Sequence, residues 1–501
     1  MKQSIYLLFF GFCLSVFSQS KPNILIIHTD DLGYHDLSFT GSELYNTPNI
    51  DKLAGESVSF TNAYSSYPRC TPSRYGMMTG TYPVNENKGD LSSWDDSKNF
   101  IKQFKNAGYH SIYIGKWHLG EGGSSPKNFG FDESYAAGRS GGIGSRFYPF
   151  NTQKNGKPAK EPVEDLEEDG KEGDYASDLL TTATIDFIKN NPKDQPFLAV
   201  LAFYAVHTPI EAKDKDEARN KEQLKSMDFG NTPEYIKEGE GRRKMRQDDA
   251  AYAGMVENVD ENVGRILQTL KELGIDKNTI IVFSSDHGGL SNDGNKGERH
   301  LATTNHPLKA GKGHLYEGGI RVPLFVKWDG KLKPHTDNES IVLGMDVFPT
   351  LLDLALNKTV EGVDGESYKS VLEGTDSWKD RTVYWISKKA RPHSTGDSKA
   401  AVVRSGDYKL IQLLGTDTVE LYNLKTDISE EQDLSIKEPS KTKELLNLLK
   451  NWKRDYLVPE RLDVGKNKGK DDDDDDEEGD SVSKMTKTKG NGTGKKMSRR
   501  N

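Results

Sequence analysis

Cys70 stands in the segment Tyr67-Pro68-Arg69-Cys70-Thr71-Pro72-Ser73-Arg74. It is the one cysteine expected in the mature chain, because the other, Cys13, falls in a stretch that reads as a removable leader. A lone thiol in an exported protein has no internal disulfide partner, so it is either a buried spectator or a reactive group. Elsewhere the chain carries short groups of carboxylate, imidazole and ammonium side chains: Asp30-Asp31, Lys116 with His118, His207, and Asp286-His287. Taken singly, each has an ordinary reading as a helix cap, a turn or a tight loop. Taken together they offer cation ligands, positive charge for an anion and proton carriers.

The elements around these residues decide whether they meet. The apolar run Asn23-Ile24-Leu25-Ile26-Ile27 predicts a strand buried on both faces of a parallel sheet, ending at His28-Thr29-Asp30-Asp31. Thr47-Pro48-Asn49 then offers a helix start with proline at the first position. The alternation repeats three more times. Ser97 caps a helix carrying Phe100, Ile101 and Phe104, and residues 109–114 read as a strand ending at Lys116-Trp117-His118. A helix through Leu179, Leu180, Ala183 and Phe187 leads to a strand at 197–203, which ends at His207. A longer helix bearing Tyr252, Met255, Val259, Val263 and Ile266 leads to a strand at 279–284 and then Asp286-His287. Open α/β sheets bind ligands beyond the carboxyl ends of their strands, so these four tips converge on one active site.

The remaining segments organise the chain. Residues 138–144, 151–173 and 213–246 are glycine-rich or charged and read as surface insertions, the usual carriers of substrate choice. Polar groups in the long loops, Arg139, Ser140, His300 and His306, are expected at the rim of the site as substrate contacts. Beyond Leu372, short strands at 382–386, 401–403, 408–413 and 420–424, followed by a helix at 440–452, predict a small antiparallel sheet with one helix. The expected division is a signal peptide at 1–20, a catalytic domain at 21–375, a C-terminal α+β subdomain at 376–462 and a disordered charged tail at 463–501. With 68 Lys and Arg against 77 Asp and Glu, the net charge of −9 argues against nucleic acid as a partner. No later stretch is long and apolar enough to span a membrane, so the expected location is periplasmic or secreted.

Cys70-Thr71-Pro72-Ser73-Arg74, followed by Gly76-Met77-Met78-Thr79-Gly80, resembles the two-part maturation signature of the formylglycine-dependent sulfatases, within the alkaline-phosphatase-like superfamily. Gly115-Lys116-Trp117-His118-Leu119-Gly120 and Gly311-Lys312-Gly313-His314-Leu315-Tyr316-Glu317-Gly318-Gly319-Ile320-Arg321-Val322-Pro323 are similar to further blocks of that family. The resemblance runs from Lys21 to about Leu372 and weakly into the small C-terminal sheet. It implies an α/β fold with a large mixed, mostly parallel sheet between helices. It implies that a maturase oxidises Cys70 to formylglycine (3-oxoalanine), whose hydrate attacks sulfur. It implies one Ca²⁺ held by Asp30, Asp31, Asp286, His287 and residue 70, the His287 position being one where members carry Asn or His. By the same resemblance, Arg74 supports the nucleophile, Lys116 and Lys312 bind the sulfate, His118 collapses the sulfated intermediate and His207 protonates the leaving oxygen. The expected activity is hydrolysis of sulfate esters on a sulfated carbohydrate, in a bacterium that degrades such polysaccharides. Two alternatives stay open: a phosphodiester or phosphonate ester hydrolase of the same superfamily, and an inactive protein that binds sulfated glycans.

Overall fold

A computed structural model describes residues 21–458, apart from 86–90, 121–123, 154, 160, 297–298 and 417. The expected signal peptide and charged tail lie outside the described residues.

The large sheet has eight strands in the order His335–Asp337, Val58–Phe60, Leu324–Lys327, Thr279–Ser285, Asn23–Thr29, Phe197–Ala202, His110–Gly115 and Glu133–Tyr135. Leu324–Lys327 runs antiparallel to both of its neighbours, and the other pairings are parallel. The sheet is thus mixed and mostly parallel, as expected. Every residue of the three central strands is buried, which is why they read as unbroken apolar runs and not as alternating patterns. Alternation survives in where the side chains go. Leu25, Ile27, Ala199, Leu201, Ile281 and Phe283 join one core with residues of the helices Ala176–Asn190 and Ala250–Glu272. Ile24, Ile26, Leu198, Val200, Ile280 and Val282 join the other, with Phe100, Phe104, Phe348 and Leu352. Ile26 stands opposite Val200 on one side and Val282 on the other, so the three tips end level.

The first helix, Pro48–Gly55, begins with its proline as expected. The helix expected after Ser97 starts later: it spans Phe100–Asn106 and is capped by Asn99, whose side chain accepts from Lys102 N. Asp95 captures the Ser97 amide at 2.9 Å and winds residues 96–98 into a separate short turn. Two of the three expected surface insertions also do more than cover the surface. The 138–144 loop packs on His118, and a Cβ at Gly141 would lie 2.7 Å from that imidazole. Residues 213–246 contain the helix Asp214–Leu224 and a hairpin, Tyr235–Glu238 with Gly241–Lys244, which Asn292–Asp293 joins as a third strand just beyond Asp286-His287.

The C-terminal sheet has four antiparallel strands in sequence order, Thr382–Ser387, Ala400–Ser405, Tyr408–Leu413 and Val419–Asn423. Ala401, Val403, Leu410 and Leu421 face the helix Pro439–Asp455 through Leu445, Leu449 and Trp452. Val383, Trp385, Val402, Ile411 and Tyr422 face the catalytic region through Tyr64, Ile320, Ile341 and Leu343. At this junction the ammonium of Lys409, fully buried, lies 2.9 Å from Glu317 and 2.8 Å from Glu430. No helix among the described residues is long and apolar enough to cross a membrane.

Candidate active site

Strand register brings the tips together. Asp286 N donates to Thr29 O at 3.1 Å, Val206 N to Asp30 O at 2.7 Å, and Lys116 N to Ala202 O at 2.8 Å, so each strand hands its first loop residue to a neighbour. Asp31 adopts a left-handed φ of 61°, a conformation Asp tolerates better than most residues. The turn sends its amide to Asp286 Oδ1 at 3.2 Å. Gly288 is required by close approach, since a Cβ there would lie 1.8 Å from Gly318 O.

Cys70 is the first residue of the helix Cys70–Thr79, and its sulfur lies 3.6 Å from Asp30 Oδ1 and 3.1 Å from His287 Nε2. Burial pushes its thiol pKa well up, against the opposing pull of Lys116 and Lys312, so an unmodified Cys70 is a protonated thiol and a poor nucleophile. One turn later, Arg74 places Nε 3.1 Å and Nη2 3.0 Å from Asp286 Oδ2, and donates Nη1 to Lys116 O at 2.6 Å. Lys116 Nζ reaches Asp30 Oδ2 at 2.7 Å, and Lys312 Nζ reaches both oxygens of Asp31 at 3.0 and 3.1 Å. Three buried carboxylates therefore meet three buried cations. Burial would raise the Asp286 carboxyl, but His287, Arg74 and Lys116 overcome it and hold the group far below the usual carboxylate range. Asp31 is likewise lowered: burial opposes, and Lys312 with His207 prevails.

His207 Nε2 lies 3.9 Å from Asp31 Oδ2, while its Nδ1 sits 2.9 Å from Thr208 O. Burial, reinforced by Lys312, lowers its pKa to about 4, so it is neutral at pH 7 until an anion arrives beside it. His118, at a left-handed φ of 55°, is held by the 138–144 loop, its amide directed at Gly138 O at 3.4 Å.

The donor set suits a divalent cation. His287 Nδ1 donates to Gly288 O at 2.9 Å, which turns Nε2 towards Cys70 Sγ at 3.1 Å, Asp31 Oδ1 at 3.4 Å and Asp286 Oδ1 at 3.6 Å. Ligand atoms of Asp30, Cys70, Asp286 and His287 all lie within 4.8 Å of one another, two carboxylates, a thiol and an imidazole that could together hold a divalent cation.

The structure thus brings together Asp30, Asp31, Cys70, Arg74, Lys116, His207, Asp286, His287 and Lys312, with His118 on the same edge. The four expected rim residues have diverse surroundings. Arg139 is half exposed and paired with Glu161 at 2.7 Å, and Ser140 is buried with its hydroxyl turned to Gly142 O. His300 pairs with Asp249 at 2.7 Å and lines a small cavity with Asp31, Thr208 and Tyr252, whereas His306 is exposed beside Arg243. Two residues escaped sequence reasoning. Arg146 is fully buried and caps the carbonyls of His207, Thr208 and Pro209. Asn305 accepts from Gly289 N at 3.2 Å and donates to Gly289 O at 2.9 Å and Ala310 O at 3.1 Å, tying the His287 tip to the Lys312 turn. Neither lies in a periodic pattern, so nothing in the sequence signals its burial.

The chain belongs to the sulfatase family: the model described as Sulfatase matches residues 22–357. A second, described as N-sulphoglucosamine sulphohydrolase, C-terminal, matches residues 310–455. A protein named Sulfatase from Formosa agariphila is 29% identical over 89% of this chain and 91% of its own length. An N-acetylgalactosamine-6-O-sulfatase of Bacteroides thetaiotaomicron is 26% identical, covering 87% of this chain and 94% of the relative. The crystal structure of Ps i-CgsB in complex with k-i-k-neocarrahexaose superposes with a TM-score of 0.66 at 30% identity, covering 86% of this chain and 92% of that one. Membership makes this protein a sulfuric ester hydrolase.

Proposed function

We propose that the protein is an exported sulfatase acting on a sulfated carbohydrate, through a formylglycine made from Cys70, with release of inorganic sulfate. The observation that carries the reading is Cys70 at a helix start between a carboxylate-imidazole cluster and the ammonium groups of Lys116 and Lys312. One relative is named an N-acetylgalactosamine-6-O-sulfatase and a similar solved structure is in complex with k-i-k-neocarrahexaose, which favours a glycan.

Asp30, Asp31, Asp286 and His287 would hold one Ca²⁺, which when bound supplies positive charge to a sulfuryl oxygen and acidifies the attacking hydroxyl. Cys70 Sγ stands where a hydroxyl of the hydrated aldehyde would be; one hydroxyl attacks sulfur, and the second, on losing its proton, expels sulfate and regenerates the aldehyde. The chain's own groups do the rest. Lys116 and Lys312 exchange their carboxylate partners for the sulfuryl oxygens, whose charge grows in the transition state. Arg74 keeps the Asp286 carboxylate and the Lys116 backbone in place. His207 protonates the departing sugar oxygen as the S–O bond breaks; the sulfate beside it raises its low resting pKa. His118 takes the proton that drives collapse. Because Cys70 is fully buried, its maturase must act before the chain closes around it.

The test is release of inorganic sulfate by the matured enzyme from a panel of algal and animal sulfated glycans, their oligosaccharides, an aryl sulfate and a phosphate diester. Turnover of carbohydrate sulfates is expected. Faster turnover of the diester than of every sulfate, or release from the aryl sulfate alone, would overturn the assignment. Cys70→Ala should abolish turnover and leave the melting transition nearly in place, since only a small side chain is lost.

A further inference from the structure

The residue before Cys70 is held from the C-terminal sheet. Arg69 is buried, its Nη2 lies 2.5 Å from Asp397 Oδ2, and its Nη1 donates to Lys389 O at 3.3 Å. Asp397 is 2% exposed and belongs to the loop between the strands Thr382–Ser387 and Ala400–Ser405. The same loop grips the other side of the site. Thr395 donates its hydroxyl to Asp397 Oδ1 and accepts from His314 Nε2 at 2.8 Å through its carbonyl. Between these contacts Gly313, at φ +92°, donates its amide to Pro68 O at 2.8 Å. A Cβ at Gly313 would lie 2.9 Å from both Asp397 Oδ1 and Thr395 Oγ1, so the Lys312 turn and the loop are in direct contact. Two further bonds fasten the segment ahead of Cys70: Trp385 Nε1 to Ser65 O at 2.8 Å and Tyr67 Oη to Ser387 Oγ at 3.0 Å.

A buried ion pair is an expensive way to join two surfaces, because desolvating each charge costs several kcal/mol and an apolar pair of similar volume would do as well for stability alone. What the pair provides is direction. The planar guanidinium holds Asp397 through Nη2 and the Lys389 carbonyl through Nη1, which fixes its orientation as well as its distance, and it is carried by the residue one peptide bond from Cys70.

We propose that Asp397 is a positioning residue for sulfate-ester hydrolysis. Through Arg69 it sets the backbone at residue 70, and through Thr395 and His314 it sets the turn that aims Lys312, so the C-terminal sheet fixes the spacing of nucleophile and sulfate-binding lysine. The inference rests on the reading of residue 70 as the nucleophile.

The full chain, matured and normalised for formylglycine content by mass spectrometry, is assayed on whichever sulfate ester the wild type turns over, alongside amide hydrogen exchange and thermal melting. Asp397→Asn should lower kcat about 10- to 100-fold with KM within about twofold, the signature of misplacement without lost binding. Its exchange should quicken in residues 66–76 and 311–316 and not across the sheet. Arg69→Lys, which keeps the charge and loses the planar guanidinium, should show a smaller loss of the same kind. In Arg69→Met/Asp397→Leu the melting temperature should recover relative to the single variants while kcat stays low. Wild-type kcat in Asp397→Asn, or kcat returning with stability in the double variant, overturns the proposal. So does quickened exchange throughout the molecule. Should Asp397→Asn not fold, Arg69→Lys decides, unchanged kcat counting against the proposal. A wild type that releases no sulfate refutes the functional reading instead, and the exchange pattern still judges the clamp.

Discussion

Asp30, Asp31 and Asp286 face Arg74, Lys116 and Lys312 in a space closed to solvent. Each lysine already has a carboxylate partner, so a sulfate can claim it only if another positive charge takes over that carboxylate. In the proposed mechanism this ties sulfate binding to metal binding. Lys116→Met and Lys312→Met should each lower kcat about 10²-fold, the cost of about 3 kcal/mol from one lost charge contact, measured against unchanged formylglycine content. Removing the metal should lower the melting temperature as well as the rate, because an ion that binds only the folded state stabilises it by mass action. Ca²⁺ should restore both after chelation. Restoration of the melting temperature by Zn²⁺ and not by Ca²⁺ would refute the calcium reading.

At the scale of elements, the helix Ala250–Glu272 is tied to the start of Pro48–Gly55 by Asp260, which accepts from Ile50 N and Asn49 Nδ2, both at 2.7 Å. Burial pushes the Asp260 carboxyl up to about 6 despite these bonds. Its folded pKa exceeds the unfolded value of about 3.9, so the protonated form is favoured by folding. The contribution is full below about pH 4 and is lost as pH rises through 6. Urea midpoints should therefore contain a decline over that window, and Asp260→Asn should flatten it. An unaltered pH profile in the variant would show that another group is responsible.

For the whole molecule, the decisive contact is the one between the two sheets. Lys409 serves two buried carboxylates. Glu317, with Arg321 and Arg404 also nearby, is held ionised against its burial, whereas burial, with Glu317 close by, pushes Glu430 up to about 7. Lys409→Met removes the one cation that both carboxylates share and should cost about 3–5 kcal/mol, measured as a shift in denaturant midpoint. Glu317 belongs to the segment that carries Lys312, so the same variant should lose activity at denaturant concentrations where the wild type is still folded.

The alternation of helix and strand, the central strands and the polar groups at their tips were legible because they depend on local pattern. Unbroken apolar runs mark strands covered on both faces, and whatever follows such a run must emerge at the carboxyl edge of the sheet. Helix starts were legible only approximately: Ser97 and Asn99 are both good caps, and the choice between them fell to the Asp95 side chain. Arg146, Asn305 and the pairing of Arg69 with Asp397 were not legible at all. Their partners lie 61, 16 and 328 residues away in sequence, and a polar residue bound for the interior looks in sequence like one bound for solvent. Local periodicity determined the sheet and the edge at which chemistry gathers. Only the tertiary structure decided which loop closes on His118 and which subdomain holds the residue beside Cys70, because those choices are made by long-range contacts between buried polar groups.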